Sequence, residues 1–143
     1  REKIELYSDS NPKTLIDKGS DGVASWSKAL CIYDPKKYAI FDARVSASLN
    51  ALQVMDVSEI PMLYPACKSR NATIVLTNKF IKTHSEKNGW IELDPQKFYM
   101  NYLQVLREIS EFLSVNVCTI EMILFSKSEE LVKQAFSSEF LKL

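Results

Sequence analysis

A single histidine, His84, three cysteines and three glycines are all that the 143 residues hold of these types. One histidine excludes the HExxH pattern and any multi-histidine site, and with no Cys-x-x-Cys pair the common zinc and dithiol motifs go too. No metal and no cofactor is expected. The glycines leave no GxxxxGK[ST] loop to cradle a nucleotide phosphate, because Gly19 and Gly22 stand in GSDG and the third lies in THSEKNGW, so nucleotide hydrolysis is disfavoured. Cys31, Cys67 and Cys118 are odd in number, far apart and set among apolar residues, which suits small buried thiols in a reducing cytosol better than a disulfide framework. No apolar run approaches the ~20 residues of a membrane crossing, and no charged-then-apolar leader opens the chain. A soluble, cytoplasmic chain with no membrane partner is expected. Charge of either sign is also missing as a net quantity: 18 basic and 18 acidic side chains cancel. Any basic surface must then come from local segregation.

What the chain does hold is a 46% apolar composition, enough for one buried core at this length, and a single globular domain is the expectation. It begins at Arg1 rather than at a methionine, as a segment of a longer protein would. Residues 12–18 read as a short helix with Asn11 as N-cap and Pro12 at the first helical position. GSDG supplies a tight turn, and Val23 to Tyr33 follows as a second helix with Val23, Trp26, Ala29, Leu30 and Tyr33 on one stripe. Asp34-Pro35 ends it, residues 36–41 cross as an extended, half-buried run, and Asp42 restarts helical spacing through Val45, Leu49 and Leu52. Residues 54–94 lose periodicity at Pro61 and Pro65; they read as irregular, with a short strand at Thr73 to Leu76 and a loop at THSEKNGW that places His84 in solvent. Beyond Asp94-Pro95, a helix over 96–113 carries Phe98, Tyr102, Val105, Leu106, Ile109, Phe112 and Leu113 at helical spacing. Thr119 is placed as the cap of IEMILFSK, and Glu121 and Glu129-Glu130 stand near helix starts, where the dipole favours acids. The fold class expected is mainly α: one helical domain with a hairpin and an Asp-bearing helix at 12–53, an irregular insertion at 54–94 and C-terminal helices at 95–143.

The order of hairpin glycines, lysine, apolar helix, proline, extended run and aspartate at a helix start resembles the core of the helix-hairpin-helix DNA glycosylase superfamily. GVASWSKALCIYDP matches the hairpin-and-lysine part, and AIFDARV, Ala39 to Val45, matches the aspartate segment. SWSKALCIYDPKKYAIFDARV with IEMILFSKSEEL downstream is similar to bacterial 8-oxoguanine DNA glycosylase-like, or OGG fold, proteins. The resemblance covers residues 12–53 and, more loosely, 117–135. It departs from the family pattern in the wider spacing of Gly19 and Gly22, and in Lys28, which lies further into its helix and nearer to Asp42 along the chain.

The resemblance implies a protein that excises a damaged or modified base from DNA, with no cofactor. Asp42 would stabilise the positive charge that builds on the sugar as the N-glycosidic bond breaks. Lys28 would be the amine nucleophile of a Schiff-base route that also permits strand cleavage, which requires a lysine whose pKa is lowered by burial or nearby cations. The hairpin backbone at Gly19, Gly22 and Val23, with Lys18, would bind a DNA phosphate. The residues also admit plainer roles: Asp42 as a helix N-cap, Lys28 as a solvated helix residue, and Arg44 as a surface ion pair rather than a phosphate contact. Lys79, Lys82 and Lys87, interleaved with aromatic residues, form a basic patch that suits backbone contact or simply a solvated loop. Trp26 and Trp90 are candidates for base stacking, although Trp26 lies on the apolar stripe. Two other classes stay open: a non-catalytic DNA-binding or interaction module that retains this fold, such as one inside a genome-defence protein, and a helical scaffold that pairs with a partner through the Phe98, Tyr102 and Leu106 face.

Overall fold

The computed structural model describes residues 11–56 and 60–143. Its order is α1 (Pro12–Ile16), α2 (Val23–Tyr33), α3 (Ala43–Met55), β1 (Met62–Leu63), α4 (Ala72–Lys87), β2 (Ile91–Glu92), α5 (Phe98–Leu113), α6 (Val117–Ser126), α7 (Ser128–Ala135) and α8 (Ser137–Leu141). The protein is mainly α, as the sequence predicts. The described residues group into two compact units, one made of those up to Asp42 with Asp94–Ile123, the other of Ala43–Leu93 with Leu124–Leu143.

In the first unit, α1 starts where expected: the Asn11 side-chain oxygen accepts from the Lys13 N–H at 3.0 Å, and Pro12 takes the first helical position. The turn that follows holds Gly19 and Gly22, both at φ +64°, a left-handed conformation that glycine adopts without a Cβ penalty. The two are not equivalent. A Cβ on Gly19 would stand 2.6 Å from the Pro95 carbonyl oxygen, whereas Gly22 has open space around it. α2 has the predicted span, but its buried face is Val23, Trp26, Ser27 and Leu30; Tyr33, expected on that stripe, is exposed. The Trp26 indole N–H donates to the Asp21 carbonyl across the turn at 3.1 Å.

Asp94 organises the approach to α5, its carboxylate accepting from the Gln96 N–H at 2.8 Å and its carbonyl from Lys97 and Phe98. Pro95 therefore sits in a turn before the helix rather than at its first position. α5 buries Phe98, Tyr99, Tyr102, Leu103 and Leu106, so the face on which a partner helix was considered is already covered. Its predicted stripe runs out at the far end, where Phe112 is 87% exposed. α6 begins earlier than the Thr119 cap implied, with the Asn116 carbonyl accepting from Thr119 and Ile120.

In the second unit, small side chains let α3 bury most of its circumference: Ala43, Val45, Ser46, Ala47, Ser48, Leu49, Asn50 and Ala51. Ala43, Ala47 and Ala51 form one core with Ile74 and Val132. The proline-bearing segment beyond α3 is held by side chains of that helix. Ser46 donates to the Pro65 carbonyl at 2.7 Å, Asn50 both donates to and accepts from the Tyr64 backbone at 3.1 and 3.0 Å, and Gln53 does the same with Met62 at 2.7 and 2.8 Å. β1 and β2 then pair in parallel, Met62 with Ile91 and Leu63 with Glu92.

The main correction falls in the middle of the chain. The predicted strand at Thr73 to Leu76 and the first part of the predicted loop, Thr83 to Lys87, belong to one 16-residue helix, α4, which Asn88 caps. The β-branched run Thr73-Ile74-Val75 has strand propensity, but Asn71 caps a helix there by accepting from the Ile74 N–H at 3.1 Å. Ile74, Thr77, Ile81 and Ser85 are then buried at helical spacing, with no Gly or Pro before Gly89 to interrupt them. Gly89 at φ +64° ends the helix, and the Trp90 N–H returns to the Ser85 carbonyl at 3.0 Å, the Schellman arrangement. His84 is consequently a half-buried helix residue whose ring lies edge-on to Trp90 at 5.5 Å and to Phe136 at 6.1 Å. Among the described residues, no single helix is long and apolar enough to cross a membrane.

Candidate functional site

Asp42 is the last residue before α3, at the end of a segment pinned by side chains rather than by a neighbouring strand. The Tyr99 hydroxyl donates to the Ala39 carbonyl at 2.8 Å, the Tyr102 hydroxyl to the Ile40 carbonyl at 2.6 Å, and Ser27 Oγ to the Phe41 carbonyl at 3.3 Å while accepting from the Phe41 N–H at 3.0 Å. Apolar packing reinforces this: the Phe41 ring meets Phe98 at 4.9 Å and Tyr102 at 5.2 Å, both edge-on. Three consecutive carbonyls leading to Asp42 are thus each fixed by a hydroxyl, which orders the backbone that carries the carboxylate.

The same unit holds a second carboxyl within the electrostatic reach of Asp42. Glu121, on α6, is only 9% exposed. Burial, and after it the Asp42 charge, push its carboxyl from 4.5 up to about 7. Tyr102 lies in the field of both acids, and with burial as the main cause its phenol is raised well above its ordinary range. On α2, burial first, then the Glu121 charge and Cys118, push the Cys31 thiol up, which makes it a poor nucleophile. None of the three cysteines forms a disulfide, and each is half-buried rather than buried as the sequence suggested.

The other sequence-predicted residues are placed as follows. Lys28 is exposed, next to Ser27, and lacks the burial on which a Schiff-base lysine relies. Gly19 is buried against Pro95, its N–H donating to the Ile16 carbonyl at 3.0 Å, and the Val23 side chain is in the core; the solvent-facing parts of the turn are Lys18 and the backbone from Ser20 to Gly22. Arg44 belongs to the second unit, where its guanidinium donates to Ser128 at 3.1 Å and pairs with Glu129 at 3.3 Å, over the Phe125 ring. Lys79, Lys82 and Lys87 are exposed on α4 rather than on a loop. Trp26 is fully buried edge-on to Tyr99 at 4.7 Å, which removes it from base stacking, and Trp90 is half-buried beside His84.

Glu121 was read from the sequence only as an acid favoured near a helix start. The signal for more was present: Glu121 shares a helical face with Ile120 and Leu124, both buried, so an acid stood at a core-facing position. Among the described residues, no group of three or more His, Cys, Asp or Glu is arranged to hold a metal ion. No family model matches the chain, and no curated protein or solved structure matches it either.

Proposed function

We propose that the chain acts as a DNA glycosylase-like protein of the helix-hairpin-helix type, cleaving the N-glycosidic bond of a damaged or modified base with Asp42 as its central carboxylate. The observation that carries this reading is the triple hydroxyl clamp on Ala39, Ile40 and Phe41. A carboxylate that stabilises an oxocarbenium ion works by being held in place before charge develops, so that no reorganisation is needed at the moment of reaction. The exposure of Lys28 favours hydrolysis by water over attack by an amine. Lys18, Lys79 and Lys82, all exposed, suit contact with phosphates, which fixes register without reading sequence.

A second reading rests on the position of Asp42 immediately before α3, where an acid serves as an ordinary N-cap; the chain is then a binding module that keeps the fold without the chemistry.

Duplex DNAs carrying a panel of modified bases, 8-oxoguanine included, separate the two when incubated with the protein, Asp42→Asn and Lys28→Gln, with borohydride present to trap a Schiff base. The expected result is base release that falls about 100-fold or more in Asp42→Asn, persists in Lys28→Gln and yields no trapped adduct. DNA binding with no base released from any substrate would sink the enzyme reading and leave the module.

A further inference from the structure

We propose that the outward face of α6, with Met122 and Ile123 at its centre, is where two copies of this chain meet, antiparallel across a two-fold axis. This goes beyond the glycosylase reading and does not depend on it. Of the ten residues of α6 the only charged one is Glu121, and it stands on the buried side with Ile120 and Leu124. The opposite side, where a surface helix ordinarily carries its charges, holds Met122 and Ile123, 64% and 52% exposed, with Phe125 at 44%. A helix that is apolar on every side belongs in a buried setting. Its neighbours do otherwise: the outward residues of α5 include Gln104, Glu108 and Glu111, and those of α4 include Lys79, Lys82 and Glu86. At the corner before α6, which turns by 107° from α5, Phe112 and Leu113 are exposed as well.

The amount of surface is that of an interface. Met122, Ile123, Phe125, Phe112 and Leu113 together leave on the order of 500 Å² of apolar side chain in water, at the upper end of what a monomer shows. A stable dimer buries about 800 Å² from each copy, an apolar centre with a polar rim. Thr119 and Ser126, both exposed on the same stripe, begin that rim.

The spacing selects the occupant. The outward stripe reads Thr119, Met122, Ile123, Ser126, with intervals that are the same in either direction along the helix. Two such stripes laid antiparallel put Thr119 of each copy opposite Ser126 of the other and gather the large Met122 and Ile123 side chains at the centre, while the small residues at both ends let the helices approach. A patch that complements itself in this way is what a two-fold contact requires. Antiparallel packing also sets the N-terminal end of each helix dipole beside the C-terminal end of the other, and Glu121, on the buried side, does not have to be stripped of water between the copies. A lipid surface is a poorer match. Helices that lie on membranes set Lys and Arg beside their apolar face, whereas α6 has neither and the corner before it carries the exposed acids Glu108 and Glu111.

Sedimentation equilibrium from about 1 to 200 µM tests this on the protein, Met122→Lys, Met122→Glu and an equimolar mixture of those two variants, with Val75→Glu, at an exposed apolar position of α4, as the control. Position 122 is exposed enough for either charge to be carried by a folded chain, which circular dichroism and a thermal melt verify before masses are compared. The expected result is a two-chain species for the protein and for Val75→Glu. Each Met122 variant alone should dimerise about 100-fold more weakly, because like charges then meet across the axis, and the mixture should recover the two-chain species, because opposite charges meet. An unfolded variant would not be rescued by its counterpart. A protein that stays a single chain over the whole range, or a dimer indifferent to both Met122 variants, would overturn the proposal, and so would open-ended assemblies, since a two-fold contact closes. A single chain that instead binds vesicles of phosphatidylcholine and phosphatidylglycerol, and loses them in Met122→Glu, would give the face to lipid. Base release is measured separately, so none of these failures touches the glycosylase reading.

Discussion

Glu121 and Glu129 stand eight positions apart, each close to another charged side chain, yet the two units treat them in opposite ways. Glu129 accepts from the Asn71 amide at 2.6 Å and from Arg44 at 3.3 Å; that amide above all, and then the arginine, hold its carboxyl below the usual carboxylate range. Glu121 has neither an amide nor a cation bonded to it among the described residues, and burial, with the charge of Asp42 after it, drives its carboxyl up to about 7. The difference follows the general habit of each unit. The second pairs the polar groups it encloses: Ser46, Ser48, Asn50 and Gln53 each meet a backbone group. The first pairs what leads up to Asp42 and leaves its buried carboxyl, Glu121, without a hydrogen bond among the described residues. Residue type does not decide a carboxyl's protonation; the donors that reach it do.

The habit of the second unit breaks most severely at Asn50. Asn50→Leu should destabilise the protein by about 3 kcal/mol, because it strands both the N–H and the carbonyl of Tyr64 at a buried position; chemical denaturation measures this, and a loss under about 1 kcal/mol would mean that the segment re-pairs elsewhere. Asn71→Ala acts on Glu129 itself. It removes the α4 cap, worth about 1 kcal/mol, and the first cause of the lowered Glu129 carboxyl, so carboxyl-carbon NMR should find that group titrating closer to the ordinary 4.5. The smallest effect, and the only one of opposite sign, belongs to Glu121→Gln. Between its ordinary 4.5 and about 7, the native state holds a proton that the unfolded chain releases, so stability falls as pH rises through that window. The substitution should leave stability unchanged below pH 4.5, gain on the order of 1 kcal/mol above pH 7 after allowance for solvent access, and flatten the slope between. Thermal melts across pH 4 to 8 show this directly, and a parent protein without that slope would contradict the contrast.

Much of the first unit was legible because its signals are local. Asn11-Pro12, Gly19 and Gly22, Asp34-Pro35 and the α5 stripe each act within a turn or two of helix, and the structure has helices at those places. α4 was misread because a β-branched run and a polar, lysine-rich stretch each suggested something else, while the capping contact of Asn71 and the burial of Thr77 and Ser85 are set by packing that composition does not announce. The clamp on residues 39–41 was illegible for another reason: Ser27, Tyr99 and Tyr102 reach it from well away along the chain, and nothing in the local pattern says where a hydroxyl will point. Asp42 was singled out by resemblance and Glu121 was not, although its place on an apolar helix face was visible.

In a β-sheet, a ladder of repeated backbone bonds sets the register of an extended run, and the run can slip by two residues and find equivalent partners. Residues 39–41 have three side-chain oxygens instead, from a serine and two tyrosines, each matched to one carbonyl. No equivalent set lies two residues along. The reach of the Asp42 carboxylate is therefore adjustable one oxygen at a time: Tyr→Phe at either ring leaves the aromatic packing in place and loosens a single anchor, a finer adjustment than any that a strand ladder permits.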